Sequence, residues 1–220
     1  MKLTFFFLHL FVVSNLSFAQ APAQALDLKA VVGIHLDDSY RSEHDFLCSG
    51  VLVSPTIVLT SGHCIDVIAN EVYEQWSIFG YRPELLKVKI AGMKVEVADV
   101  IYAPSYFEAL GFHGEDLALI KLKKPTSVKP LRIAPVSLLK ADTKALMISP
   151  RKIRETTLLS VKSFSGNAVV FMKDSACSGD SGGALLVKAG SEFLLAGILS
   201  PQSKDCSDAL GVAIYPRIFI

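Results

Sequence analysis

Cys177-Ser178-Gly179-Asp180-Ser181-Gly182-Gly183 sets one serine among glycines and an aspartate, with apolar runs on either side at 168–172 and 184–187. Glycine adopts backbone angles closed to other residues, so a turn of this composition can hold a hydroxyl outward while neighbouring N–H groups converge on one point. That suits a nucleophile. The same residue types also build ordinary turns, and Gly-Asp-Ser-Gly-Gly fits the Gly-x-Ser-x-Gly pattern of the α/β-hydrolase elbow. The rest of the chain decides between these readings.

A serine hydroxyl is a poor nucleophile without a base, usually a histidine oriented by a carboxylate. The histidines, His9, His35, His44, His63 and His113, all precede Ser181. An α/β-hydrolase carries its histidine after the serine, so the elbow reading is excluded. His44 lies in a polar loop and suits a solvated role; His35, at a strand end, and His113, beside Glu115-Asp116, both admit structural roles. His63 follows the apolar run 56–60 and precedes Cys64, through which a disulfide would tether it. Asp116 stands directly before Leu117-Ala118-Leu119-Ile120. A carboxylate entering an apolar strand is costly to bury unless it is paired, which suits the group that orients an imidazole. Its plainer reading is a strand-start residue facing solvent.

The first residues, Met1-Lys2, an apolar stretch at 3–13 and the small residues of Ser17-Phe18-Ala19, read as a secretory signal peptide cleaved near Ala19. His9 would leave with it. The full chain holds 22 basic and 21 acidic residues, and loss of Lys2 makes the two equal. Neutrality without a basic cluster argues against nucleic acid as a partner. No later segment is long and apolar enough for a membrane-spanning helix. The expectation is a secreted or periplasmic protein that does not engage the membrane once the signal is removed.

In an exported chain the four cysteines, Cys48, Cys64, Cys177 and Cys206, favour two disulfides over free thiols or a metal. Three pairings are open; the local ones would each clamp a loop, and each would stabilise the fold by roughly 3 to 4 kcal/mol. No Cys-x-x-Cys pair points to zinc.

Short apolar or alternating runs separated by turn residues extend from residue 30 onward, at 30–36, 46–53, 57–60, 87–97 with Gly92 at a turn or bulge, and 117–122. Charge and proline interrupt at Lys123-Lys124-Pro125-Thr126-Ser127-Val128-Lys129-Pro130, the best linker candidate. Further runs follow at 131–133, 145–149, 156–161, 168–172, 184–187, 193–199 and 211–215. The pattern predicts an all-β protein of sandwiches or barrels, with one short helix at about 66–75.

Thr60-Ser61-Gly62-His63-Cys64, Asp116-Leu117-Ala118-Leu119-Ile120-Lys121-Leu122 and Cys177-Ser178-Gly179-Asp180-Ser181-Gly182-Gly183, in that order, resemble the chymotrypsin (trypsin-like) family of serine proteases. Val100-Ile101-Tyr102-Ala103-Pro104-Ser105-Tyr106, Ile198-Leu199-Ser200 and Gly211-Val212-Ala213 extend the resemblance over nearly the whole mature chain. It implies two antiparallel six-stranded β-barrels with the active site in the cleft between them. The first barrel would cover about 20–122, the linker 123–130 and the second barrel about 131–220, so His63 and Asp116 would meet Ser181 across the interface. Ser181 would be the nucleophile, His63 the base, Asp116 its orienter, and the N–H groups of Gly179 and Ser181 the oxyanion hole. The resemblance also implies that Ser200 supports Asp116, and that the disulfides are Cys48–Cys64 and Cys177–Cys206. Ser175 would line the pocket floor, where trypsins have aspartate, with Gln202 and Gly211 on the pocket wall. A neutral floor favours an uncharged or aromatic substrate side chain, unless a bulge turns the adjacent Asp174 inward.

Three departures from the family pattern stand out. No Ile-Val-Gly-Gly-like start follows a basic cleavage site, although in the family a freed N-terminal ammonium pairs with the residue matching Asp180. Either an amine left by processing near 20–25 does so here, or another group holds Asp180. The sequence stops at Ile220, where relatives continue into a C-terminal helix, and the loop bearing Glu84 lacks the acidic cluster of calcium-binding relatives. The expected function is therefore a monomeric secreted endopeptidase acting on protein or peptide substrates, with no cofactor and no metal. A catalytically silent relative acting as a binding or effector protein is the alternative, and an esterase-like activity is allowed by the same chemistry.

Overall fold

Alternation along each strand decides which side chains turn inward, and here the inward sets are apolar almost throughout. The structure, a computed structural model, describes residues 28–37, 47–65, 83–103, 116–164, 167–177, 179–201 and 211–216. Strands β1 Val31–Leu36, β2 Cys48–Ser54, β3 Ile57–Thr60, β4 Leu86–Ile90, β5 Met93–Tyr102 and β6 Ala118–Leu122 close into one antiparallel barrel in the order β1-β2-β3-β6-β5-β4. Strands β7 Lys144–Ser149, β8 Lys152–Phe164, β9 Asn167–Met172, β10 Ala184–Ala189, β11 Glu192–Leu199 and β12 Gly211–Tyr215 close into a second, in the order β10-β11-β12-β9-β8-β7. The all-β expectation of two six-stranded barrels holds.

Strands β4 and β6 alternate in burial, and Leu86, Val88, Ile90, Ala118, Ile120 and Leu122 all point into the first barrel. Strand β1 is buried at nearly every position because its two faces meet different cores. Val32, Ile34 and Leu36 fill the barrel, whereas Val31 turns to the seam between barrels. In that seam Val51, Leu59 and Leu117 of the first barrel pack with Ile148, Leu186, Leu195, Ile198 and Ile214 of the second. Burying each such side chain contributes about 1.5–3 kcal/mol. The two barrels are thereby held together by apolar packing from both sides of the seam.

The run at 87–97 proves to be two strands. Ile90 pairs with Met93 around Ala91 and Gly92, both at positive φ (48° and 87°), the backbone of a two-residue hairpin turn. Strand β5 then continues to Tyr102 with little burial, which is why apolar patterning understates its length. The predicted strand at 131–133 is instead a single parallel bridge between Ile133 and Leu195. Pro125, Pro130 and Pro135 have no N–H for a ladder, and the segment stitches the barrels together through isolated bonds, Leu131 N to Leu52 O (2.9 Å) and Ala134 N to Leu195 O (2.8 Å). The candidate signal peptide, the helix expected at 66–75, His9, His44, His113, Gln202, Cys206 and the residues after 216 lie outside the described residues.

Candidate active site

Three side chains interlock where the barrels meet. Strand β3 delivers Thr60 and Ser61 into the seam, where Thr60 Oγ1 donates to Ser49 O (2.8 Å) and Ser61 Oγ to Leu199 O (2.9 Å). His63 follows in a helical turn at 62–65. The Cys48–Cys64 disulfide ties that turn to β2. Asp116, 2% exposed, precedes β6 and accepts twice from His63, from its backbone N–H on Oδ1 (2.8 Å) and from ring Nδ1 on Oδ2 (2.7 Å). Ser200 Oγ donates to the same Oδ2 over 2.5 Å. Because Nδ1 carries the proton given to Asp116, the neutral ring presents Nε2 as its acceptor. The imidazole is a third exposed, open enough to meet a substrate.

Burial alone would raise the Asp116 carboxyl. The hydrogen bond and charge of His63, the Ser200 hydroxyl and the His63 backbone N–H outweigh it and hold the group below its ordinary value. The carboxylate thus stays ionised although it is desolvated.

The loop that carries Ser181 is shaped by backbone more than by side chains. Gly179 and Gly182 have φ of 88° and 78°, and a Cβ on Gly182 would lie 2.0 Å from Ser49 O and 2.3 Å from Thr60 Oγ1. Only glycine fits there. Ser49 N donates to Ser181 O (2.7 Å) and Gly182 N to Leu199 O (2.9 Å). The serine is therefore held by β2 of one barrel and by the strand leading to Ser200 in the other. The amides of Asp180 and Gly183 bond within the loop, to Cys177 O and Asp180 O, both at 2.8 Å. Among the described residues no group accepts from the N–H of Gly179 or Ser181.

The family model described as trypsin matches residues 20–149 and 147–219. The chain belongs to the trypsin family of serine proteases. Among solved structures it is similar to neuropsin, a serine protease expressed in the limbic system of mouse brain, with a TM-score of 0.62 and 21% identity over 86% of this chain and 90% of that one. At that identity the likeness concerns the fold, and it agrees with the two closed barrels.

Against the trypsin-family pattern, the remaining predicted site residues separate. Ser175 is buried with its hydroxyl on Ala176 O (2.9 Å), while Asp174 is exposed. Gly211 starts β12 opposite Met172, and a Cβ there would meet Asp174 O at 2.0 Å. Its lack of a side chain is thus required by the close approach of the Asp174 backbone. Ser200, 1% exposed, is engaged with Asp116. Cys177 is disulfide-bonded; its expected partner, Cys206, is outside the described residues. Donor atoms of Cys48, His63 and Cys64 lie within 4.8 Å of one another, a spacing that could suit a metal. Both sulfurs are spent in the disulfide, so neither offers a thiolate.

Arg154 is a residue that the sequence motifs do not announce. Asp180 accepts from Ser149 Oγ (2.8 Å), from Cys177 N (3.0 Å) and from the guanidinium of Arg154. Of the two ways of holding Asp180 that the sequence left open, a side-chain group does so. The available signal was parity. Arg154, Thr156 and Leu158 occupy the inward side of β8, whereas Ile153, Glu155 and Leu159 are exposed, and an arginine on the apolar side of a strand needs a buried partner.

Proposed function

We propose that the chain is a secreted serine endopeptidase in which Ser181 attacks the carbonyl carbon of a peptide bond. His63 Nε2 takes the hydroxyl proton as the bond from Oγ to carbon forms, and returns it to the leaving amine as the carbon–nitrogen bond breaks. Water, activated by the same nitrogen, then releases the acyl group. Asp116 fixes the ring tautomer and stabilises the imidazolium. The N–H groups of Gly179 and Ser181 stabilise the oxyanion, a contribution of about 3 to 4 kcal/mol per donor in comparable sites. The observation that carries this reading is the Ser200–Asp116–His63 hydrogen-bond series. The amides of Gly179 and Ser181, from which no group accepts among the described residues, support it.

The proposed substrate is a protein or peptide with an uncharged or aromatic side chain entering over Ser175, cleaved by a monomer without cofactor. Removal of residues 1–19 would deliver the enzyme to the periplasm or the medium. Incubation of the mature protein with a peptide library, read by mass spectrometry, tests both chemistry and preference. Cleavage after uncharged or aromatic residues, absent in Ser181→Ala, is expected. No cleavage beyond the Ser181→Ala background would favour the silent-relative reading instead.

A further inference from the structure

The proposed mechanism leaves one buried charge without a chemical role. Asp180, next to Ser181, is 7% exposed, and an ionised carboxylate is buried only when compensated. Of its donors, Ser149 Oγ, Cys177 N and Arg154, only the Arg154 guanidinium brings charge. The same side chain donates through Nη1 to Ser175 O (3.0 Å) and lies 3.3 Å from Cys177 Sγ. One guanidinium therefore grips the stretch from the pocket-floor residue to the residue before the serine.

Both side-chain donors come from one hairpin. Ser149 ends β7 and pairs with Lys152 across the turn at Pro150-Arg151, while Arg154 sits opposite Met147 on β8. The turn is too short to let the two donors move apart, so the hairpin acts as a clamp on the carboxylate.

We propose that Arg154 is a positioning residue that holds the 177–183 loop in its oxyanion-binding form from within the chain, so that the loop requires no ammonium from a freed N-terminus. The proposal deepens the protease reading and rests on it for the identity of the nucleophile. Without the guanidinium the carboxylate is stranded, and turning Asp180 toward water relieves it. That rotation carries the amides of Gly179 and Ser181 away from their common point.

The test compares wild type, wild type selectively acetylated at its N-terminus, Arg154→Gln and Arg154→Lys. It reads kcat and KM on an ester substrate and amide hydrogen exchange across 174–187. The acetylated wild type is expected to keep its kcat. Arg154→Gln is expected to lose about 10²–10³ in kcat, the size of losing an oxyanion donor, to exchange faster in the loop, and to regain part of its rate with added methylguanidine. Arg154→Lys keeps the charge and loses less. If Arg154→Gln does not fold, the double variant Arg154→Gln/Asp180→Asn removes the stranded charge, and is expected to fold with a fast-exchanging loop. A wild-type kcat in folded Arg154→Gln, or loss of kcat on acetylation, overturns the proposal. Should the wild type itself be inactive, the protease reading fails, while hydrogen exchange still decides this one: an unchanged loop in Arg154→Gln, or in the double variant, overturns it.

Discussion

Ser200, directly after β11 of the second barrel, donates its hydroxyl to Oδ2 of Asp116, two residues before β6 of the first, over 2.5 Å. The carboxylate that holds His63 is thus itself held from the opposite barrel, and the relative position of the barrels sets the geometry of the imidazole. Ser200→Ala removes a buried hydrogen bond to a charged group and is expected to lower stability by about 1.5–3 kcal/mol, measured by denaturant unfolding. A fall in kcat should accompany it, because Asp116 then has one donor fewer to fix its orientation.

The depressed Asp116 carboxyl gives stability a sign-defined pH dependence. Its pKa is lower folded than unfolded, so its stabilising contribution is complete above the ordinary carboxylate range, about pH 4, and is lost as pH falls through the lower folded value. Asp116→Asn cannot titrate there. The stability difference between wild type and Asp116→Asn, followed by thermal melting, should move against the wild type as pH falls below about 4. At neutral pH the same variant should lose on the order of 10⁴ in kcat, since an amide can favour the wrong histidine tautomer.

Much of this was readable before the fold was known, for identifiable reasons. The three motifs announce themselves because their chemistry needs fixed residue types: glycine at a left-handed turn, histidine beside a tethering cysteine, aspartate at a strand entrance. Strands with one face inward, such as β4 and β6, leave an alternating record. The exposed strand β5 leaves little, and the segment at 131–133 mimics a strand because its apolar residues pack in the seam without a ladder. Arg154 was missed because a single inward charge looks like any surface arginine until its parity with Thr156 and Leu158 is noticed.

Gly182 and Gly92 separate backbone strain from close approach. Both have positive φ, 78° and 87°, but a Cβ at Gly182 collides with Ser49 O and Thr60 Oγ1 while one at Gly92 meets nothing within 4 Å. Gly92→Ala should cost about 1 kcal/mol and leave activity intact. Gly182→Ala should cost more than about 2 kcal/mol and abolish activity, because the loop must leave β2 to make room. Equal costs in parallel unfolding curves would refute the close-approach account.

Substrate preference should follow Ser175, which is buried, and not Asp174, which is exposed. Asp174→Asn should leave the cleavage profile unchanged, whereas Ser175→Asp should introduce cleavage after lysine and arginine in a peptide library. A profile altered by Asp174→Asn would mean that this carboxylate, and not the neutral serine, faces the substrate.

Activation of Ser181 by His63 is the step on which the proposed protease chemistry depends. Its most direct measurement is labelling of the mature protein by a fluorophosphonate, located by mass spectrometry. One adduct is expected on Ser181, absent in Ser181→Ala and slowed by several orders of magnitude in His63→Ala. A folded, processed wild type that takes up no label on Ser181, or takes it up equally fast without His63, would contradict it.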